Sequence, residues 1–120
     1  MAERTLARYG PHAGRAARAI PFMLAGLCAW HAGIGQVAIV GGRDRATIDL
    51  KVELARHYVP FSVVIPVAPG EGARALSDVI PFVRPMAART QPTAFVCRDF
   101  TCREPVTTAA DLAAQVETRG

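Results

Sequence analysis

Gln36-Val37-Ala38-Ile39-Val40 is short, continuous, apolar and β-branched, and Gly41-Gly42 closes it. A strand with one wet face alternates polar and apolar residues. An unbroken apolar run instead fits a strand covered on both faces. This chain must therefore supply helices to both sides of a sheet, and the segments that follow offer them. Asp44 or Thr47 can cap a helix that runs to about His57. Arg45, Asp49, Glu53 and Arg56 fall on one stripe of that helix. Ile48, Val52, Ala55 and Val59 fall on another, and the spacing predicts that this apolar stripe covers the sheet through Ile48, Val52 and Ala55.

Phe61-Ser62-Val63-Val64-Ile65-Pro66-Val67 reads as a second strand, in which Pro66 marks an edge or an exit. Ala68 to Gly72 is a loop, and a short helix runs from about Ala73 to Ile80 and stops at Pro81. Pro85 to Pro92 reads as irregular. Thr93-Ala94-Phe95-Val96-Cys97 is the third strand. Thr108 and Asp111 have capping-box spacing, with Asp in place of the usual Glu. They open a last helix in which Ala109, Leu112, Ala113 and Val116 share a face. Strands that alternate with helices predict an α/β fold. The expected architecture is a small, mostly parallel three-stranded sheet flanked by helices, with 36–40 central between strands near 61–66 and 93–97.

An N-terminal helical segment precedes this unit, giving expected domains of 1–33 and 34–120. Ala2 to Tyr9 forms a short helix that Gly10-Pro11 ends. Ala13 to His31 is helical in two pieces, with Pro21 in the first turn of the second, where its missing N–H costs nothing. Phe22 to Trp30 is apolar all round, which predicts burial on most sides. Gly33 and Gly35 end it. From Ile20 to Trp30 the run has eleven apolar or small residues, against the ~20 that span a bilayer. It has the length of a signal-peptide core, but Glu3 in the lead, Pro21 and the lack of an Ala-x-Ala site argue against secretion.

Half the 120 residues are apolar (51%) and 20% are charged, which excludes an intrinsically disordered chain. Residues 1–60 carry eight basic and four acidic groups and residues 61–120 carry six of each, so the net charge of +4 lies in the first half. Arg4, Arg8, Arg15 and Arg18 make most of it. No series of aromatics interleaves with them for base stacking, Tyr9 alone lying among them, and no nucleic-acid motif is present, so the basic stretch reads as a solvated helix face. Three cysteines is an odd and sparse set, unlike a disulfide-stapled secreted domain, and points to a reducing cytoplasm.

Several segments, in order, resemble the C-terminal region of the thioredoxin-domain-containing protein family related to spermatogenesis-associated protein 20. They are Glu3-Arg4-Thr5-Leu6, Ile20-Pro21-Phe22-Met23-Leu24-Ala25, Trp30 with His31-Ala32-Gly33, Gln36-Val37-Ala38-Ile39-Val40-Gly41, and the run from Phe95 through Cys97, Cys102 and Pro105-Val106-Thr107. Together they cover nearly all of the chain. The resemblance implies a parent several-fold longer, with a thioredoxin-like domain followed by a sugar-epimerase-like α/α barrel. On this view residues 1–33 are the last barrel helices and the rest an α/β tail. The family's Trp-Cys-His motif is missing, because Trp30 is followed directly by His31. The barrel's candidate active-site residues lie upstream. The resemblance thus implies a module without an active centre or cofactor. Its expected partner is the thioredoxin-plus-barrel portion, in the same chain or as a separate subunit. Residues 58–92 match least: Tyr58-Val59-Pro60-Phe61 stands where the family has a Phe-Pro-Asn-like turn.

Two constellations can carry chemistry. Cys97 and Cys102 are five apart, so in one continuous strand they face opposite sides. They meet only if the chain turns at Arg98-Asp99-Phe100, and a disulfide needs Cα atoms within ~7 Å. Cys-x4-Cys is neither the redox nor the zinc-ribbon spacing, and His12, His31 and His57 add no metal-site pattern. Arg98 and Arg103 would favour a thiolate, which keeps a small redox module open as an alternative. The first expectation is three free thiols, with Cys28 a core residue. Gly41-Gly42-Arg43 is the second constellation: a glycine turn into a helix N-terminus can cradle phosphate. The dinucleotide and P-loop patterns are absent, so a plain strand-to-helix turn is favoured over a phosphate or nucleotide site. His31 suits a helix end, and neither Ser62 nor Ser77 sits in a nucleophile elbow. The residues thus point to a non-catalytic module that docks on its parent, or self-associates through residues 1–32, and engages neither nucleic acid nor membrane.

Overall fold

The computed structural model describes residues 2–117 and divides into two compact units, 1–34 and 35–120. The second unit is built on β1 (Gly35–Val40), whose six residues are all buried. β1 lies inside the sheet, as its apolar run requires, with the order β2-β1-β3-β4. β2 (Ser62–Val67) pairs with it in parallel and β3 (Thr93–Arg98) antiparallel. β4 (Thr101–Cys102) returns antiparallel along β3.

The sheet is therefore mixed and four-stranded, which corrects the expected three mostly parallel strands. The physical reasons are two. An apolar run buried on both faces reads alike in either chain direction, so the polarity of β3 is not encoded in its hydrophobicity. A two-residue strand has no period to detect. Pro66 sits on β2 at the edge of the sheet, where a missing N–H breaks no ladder bond.

Alternation along β1 sorts the core into two layers. Val37 and Ile39 face Ala94 and Val96 and carry α3 (Arg45–Arg56) and α5 (Ala109–Glu117) through Leu50, Leu54, Leu112 and Val116. Ala38 and Val40 point the other way, with Ile65, Val67, Phe95 and Cys97, under Ala73 of α4 (Glu71–Val79) and Val83 and Met86 of the turns that follow. Thr108 caps α5 as expected: the Asp111 N–H donates to Thr108 Oγ1 at 3.2 Å, while the Asp111 carboxylate takes the Thr108 hydroxyl, which donates to its Oδ2 at 2.6 Å, rather than the backbone N–H of a full box.

The face of α3 corrects the expectation. Thr47, Leu50 and Leu54 are buried, whereas Ile48 and Val52 are 44% and 47% exposed and Ala55 is exposed too. The helix carries two apolar stripes. The narrower one wins because leucines 50 and 54, one turn apart, reach the sheet while Thr47 seats beside Gly41. The charged stripe is as read: Arg45 pairs with Asp49 at 2.9 Å and Arg56 with Glu53 at 3.3 Å.

In the first unit α1 runs from Ala2 to Arg15 with Pro11 inside it, where a stop at Gly10-Pro11 was expected. A proline disfavours helical geometry in the residue before it partly through that residue's Cβ. Gly10 has none, so the helix continues at the loss of one hydrogen bond. A single 3₁₀ turn (Ala17–Ala19) leads to α2 (Pro21–Ala32), with Pro21 opening the helix as expected. Contrary to the expected burial, α2 buries none of its residues; Phe22 is 92% and Trp30 49% exposed. Within its unit α2 has only α1 and one short turn to lie against, which half-covers Met23, Leu24, Leu27 and Ala29 and leaves the rest of the helix exposed.

Candidate functional site: the Cys97–Cys102 hairpin

β3 is long and apolar, and its far end must reverse at the sheet margin. It does so over two residues, Asp99 and Phe100, both at positive φ (49° and 63°). Positive φ at both central residues suits the right-handed twist of a hairpin, and it ordinarily selects Asn-Gly or Asp-Gly. Asp99 accepts it readily; Phe100 does not. Phe100 is held from two sides. Its N–H donates to Gln36 Oε1 at 3.2 Å, and its ring meets Phe82 edge-on at 5.2 Å between centroids. Gln36 is the one polar residue of the apolar run in β1, it is buried, and its register partner is Cys97. An amide in an otherwise apolar strand was the available signal for this contact.

The turn puts Arg98 opposite Thr101 and Cys97 opposite Cys102. The Arg103 N–H donates to the Val96 carbonyl at 3.0 Å, so backbone bonding resumes beyond the cysteine pair. Cys97 and Cys102 thus occupy a non-hydrogen-bonded position, where facing side chains come closest. Their Cα atoms are 3.9 Å apart and their sulfurs are bonded. This corrects the expectation of free thiols at both positions; the condition for pairing, a turn at Arg98-Asp99-Phe100, is met. Cys97 is buried in the α4 layer, and Cys102 is half-buried on the edge strand. Cys28, expected in a core, is a free and exposed cysteine. The chain beyond the hairpin is tied down separately. Ala94 and Val106 exchange backbone bonds of 2.7 and 3.0 Å, Arg103 donates to the Gln115 carbonyl, and Gln115 donates to the Glu104 carbonyl.

The second candidate, Gly41-Gly42-Arg43, is arranged around a threonine. A Cβ on Gly41 (φ 155°) would fall 2.0 Å from Thr47 Oγ1, so glycine is required there for close approach. The Thr47 N–H and hydroxyl both donate to the Asp44 carboxylate, at 2.9 and 2.7 Å. These bonds, the hydroxyl's first, hold the Asp44 carboxyl below its ordinary pKa. The N-terminus of α3 thus already carries an anion of its own, where a phosphate would sit. Arg43 is exposed beside it.

His57 pairs with Glu53 at 3.0 Å, and His31 lies exposed in the last turn of α2. Among the described residues no three His, Cys, Asp or Glu side chains are grouped to hold a metal ion, and no helix is long and apolar enough to cross a membrane. One feature missed by sequence reading is an open groove of about 570 Å3 beside α4, lined among others by Arg74, Ser77, Asp78 and Arg84. Ser77 there is spent on the Ala73 carbonyl, at 2.6 Å.

The hairpin can exchange a disulfide for two thiols, and the Gly41 turn can cap a helix. No family model, no curated protein and no solved structure matches the chain.

Proposed function

We propose that this chain is a non-catalytic α/β module of the thioredoxin-domain-containing family related to spermatogenesis-associated protein 20, and that α2 is the element by which it docks on the helices of the parent's α/α barrel. The observation that carries the reading is α2 itself: twelve residues, apolar apart from His31, none of them buried. An apolar face of this kind usually marks a site made for a partner. The ordered run of resembling segments from Glu3 to Thr107 supports the parent. The anion already placed at the Gly41-Gly42 turn that leads into α3 supports a structural reading of that turn.

Sedimentation and light scattering on the isolated chain test the docking element. Without the barrel helices, the wild type should self-associate at micromolar concentrations. Phe22→Glu should restore a folded monomer, because Phe22 contributes nothing to either core. A wild type that stays monomeric at several hundred micromolar contradicts the reading. The DNA immediately 5′ of the Met1 codon tests the parent: a thioredoxin-plus-barrel reading frame, in frame or adjacent, is expected there.

A further inference from the structure

We propose that Cys97–Cys102 is a reversible redox couple whose partner is a vicinal-dithiol oxidoreductase, with Cys102 the sulfur attacked and Cys97 the sulfur released. Three observations lead there. First, the bond is poorly placed as a staple. It closes a loop across a sequence separation of only five, and short loops constrain the unfolded chain least. The strands it joins are already held by other means: β3 by its full length on β1, and the segment after β4 by the Ala94–Val106 and Gln115 bonds. Opening the bond therefore leaves the unit folded.

Second, the two sulfurs are unequal in access. Cys102 lies on the two-residue edge strand and is half-buried, packed in part against the α4 layer, while Cys97 within that layer is 1% exposed. Of the two, Cys102 is the one open to an incoming thiolate.

Third, the hairpin chooses between kinds of reductant. Attack on Cys102 Sγ forms a mixed disulfide, breaks the Sγ–Sγ bond and leaves the electron pair on Cys97, which takes a proton. The Arg103–Val96 backbone bond and the turn keep Cys97 directly opposite Cys102 at this stage. Its effective concentration is high, so a monothiol adduct collapses back to the intramolecular disulfide. A partner with a second thiol of its own attacks its own sulfur in the mixed disulfide and releases Cys102. The protein gains two electrons and two protons, and the partner's two thiols become its disulfide.

The test uses the full chain with Cys28→Ser, which removes the other thiol. Native protein is incubated with a reduced Cys-x-x-Cys thioredoxin, with its Cys-x-x-Ser form, or with glutathione at equal thiol concentration; alkylation and mass spectrometry read the products. The expected result is reduction of the bond by the dithiol protein at least tenfold faster than by glutathione. The Cys-x-x-Ser form, a monothiol in this reaction, should reduce the bond no faster than glutathione, its adduct caught by rapid acid quenching should sit on Cys102, and circular dichroism should be unchanged after reduction. Equal rates with both reductants, trapping on Cys97, or reduction only after denaturation would overturn the proposal. A second variant, Cys97→Ser with Cys102→Ser, should fold like the wild type. If it is unfolded, the bond is a staple and the proposal fails.

Discussion

β1 and α2 are both strongly apolar elements, and they end in opposite places. Every residue of β1 is buried and no residue of α2 is. A strand inside a sheet has its edges closed by neighbouring strands and its faces by helices, so six residues suffice to vanish from water. A twelve-residue helix presents apolar surface around its whole circumference, and a 34-residue unit with one other long helix can cover only one side of it. Apolarity in a sequence is thus a demand for cover, and the fold of the unit decides whether the demand is met at home or by another surface. β1 meets it at home; α2 carries the demand outward, which is the basis of the docking role proposed above.

Mutations can break this comparison, beginning with the largest effect. Leu50→Ala empties a site beneath α3 that is 1% exposed, and should cost about 2–5 kcal/mol in denaturant unfolding. Leu24→Ala, at a half-covered site on α2, should cost less than about 1 kcal/mol. Equal losses would show that α2 is as well enclosed as the sheet. Val52→Ser, on the exposed stripe of the same α3, should stay within ~0.5 kcal/mol.

Acid sharpens the comparison by acting on the turn that follows β1. The Asp44 carboxyl is depressed by the bonds from Thr47, so its folded pKa lies below its unfolded value of about 3.9. Its contribution is therefore full above that unfolded value and is lost as pH falls through the folded one. Asp44→Ala should lower the melting temperature by a few degrees at pH 7, and the gap to wild type should close below about pH 4. A gap that persists unchanged at pH 2 would show that the carboxylate does not cap α3.

Much of this was legible in the residues, and what was not has identifiable causes. β1, its central place, a cap for α3 at Asp44 or Thr47, the Thr108 cap of α5 and Pro21 at a helix start all rest on local chemistry that the sequence displays. The buried face of α3 was not legible, because two apolar stripes compete on one helix and only the sheet beneath chooses between them. β4 was hidden by its length. The helix through Pro11 depended on Gly10 lacking a Cβ. The cysteine pair turned on one local question, whether Asp99-Phe100 could reverse the chain without a glycine. The answer lies in Gln36 and Phe82, which are 64 and 18 residues away in sequence from Phe100 and hold it in place.

Native-state hydrogen exchange on the monomeric Phe22→Glu chain tests the central contrast most directly, because it reports the opening free energy of each element separately. The amides of Val37 to Val40 should exchange only through global unfolding of the α/β unit. Those of Leu24 to Trp30 should exchange through a local opening at least a hundredfold more frequent. Protection of α2 equal to that of β1 would contradict the account, and would show that the helix finds its cover within this chain.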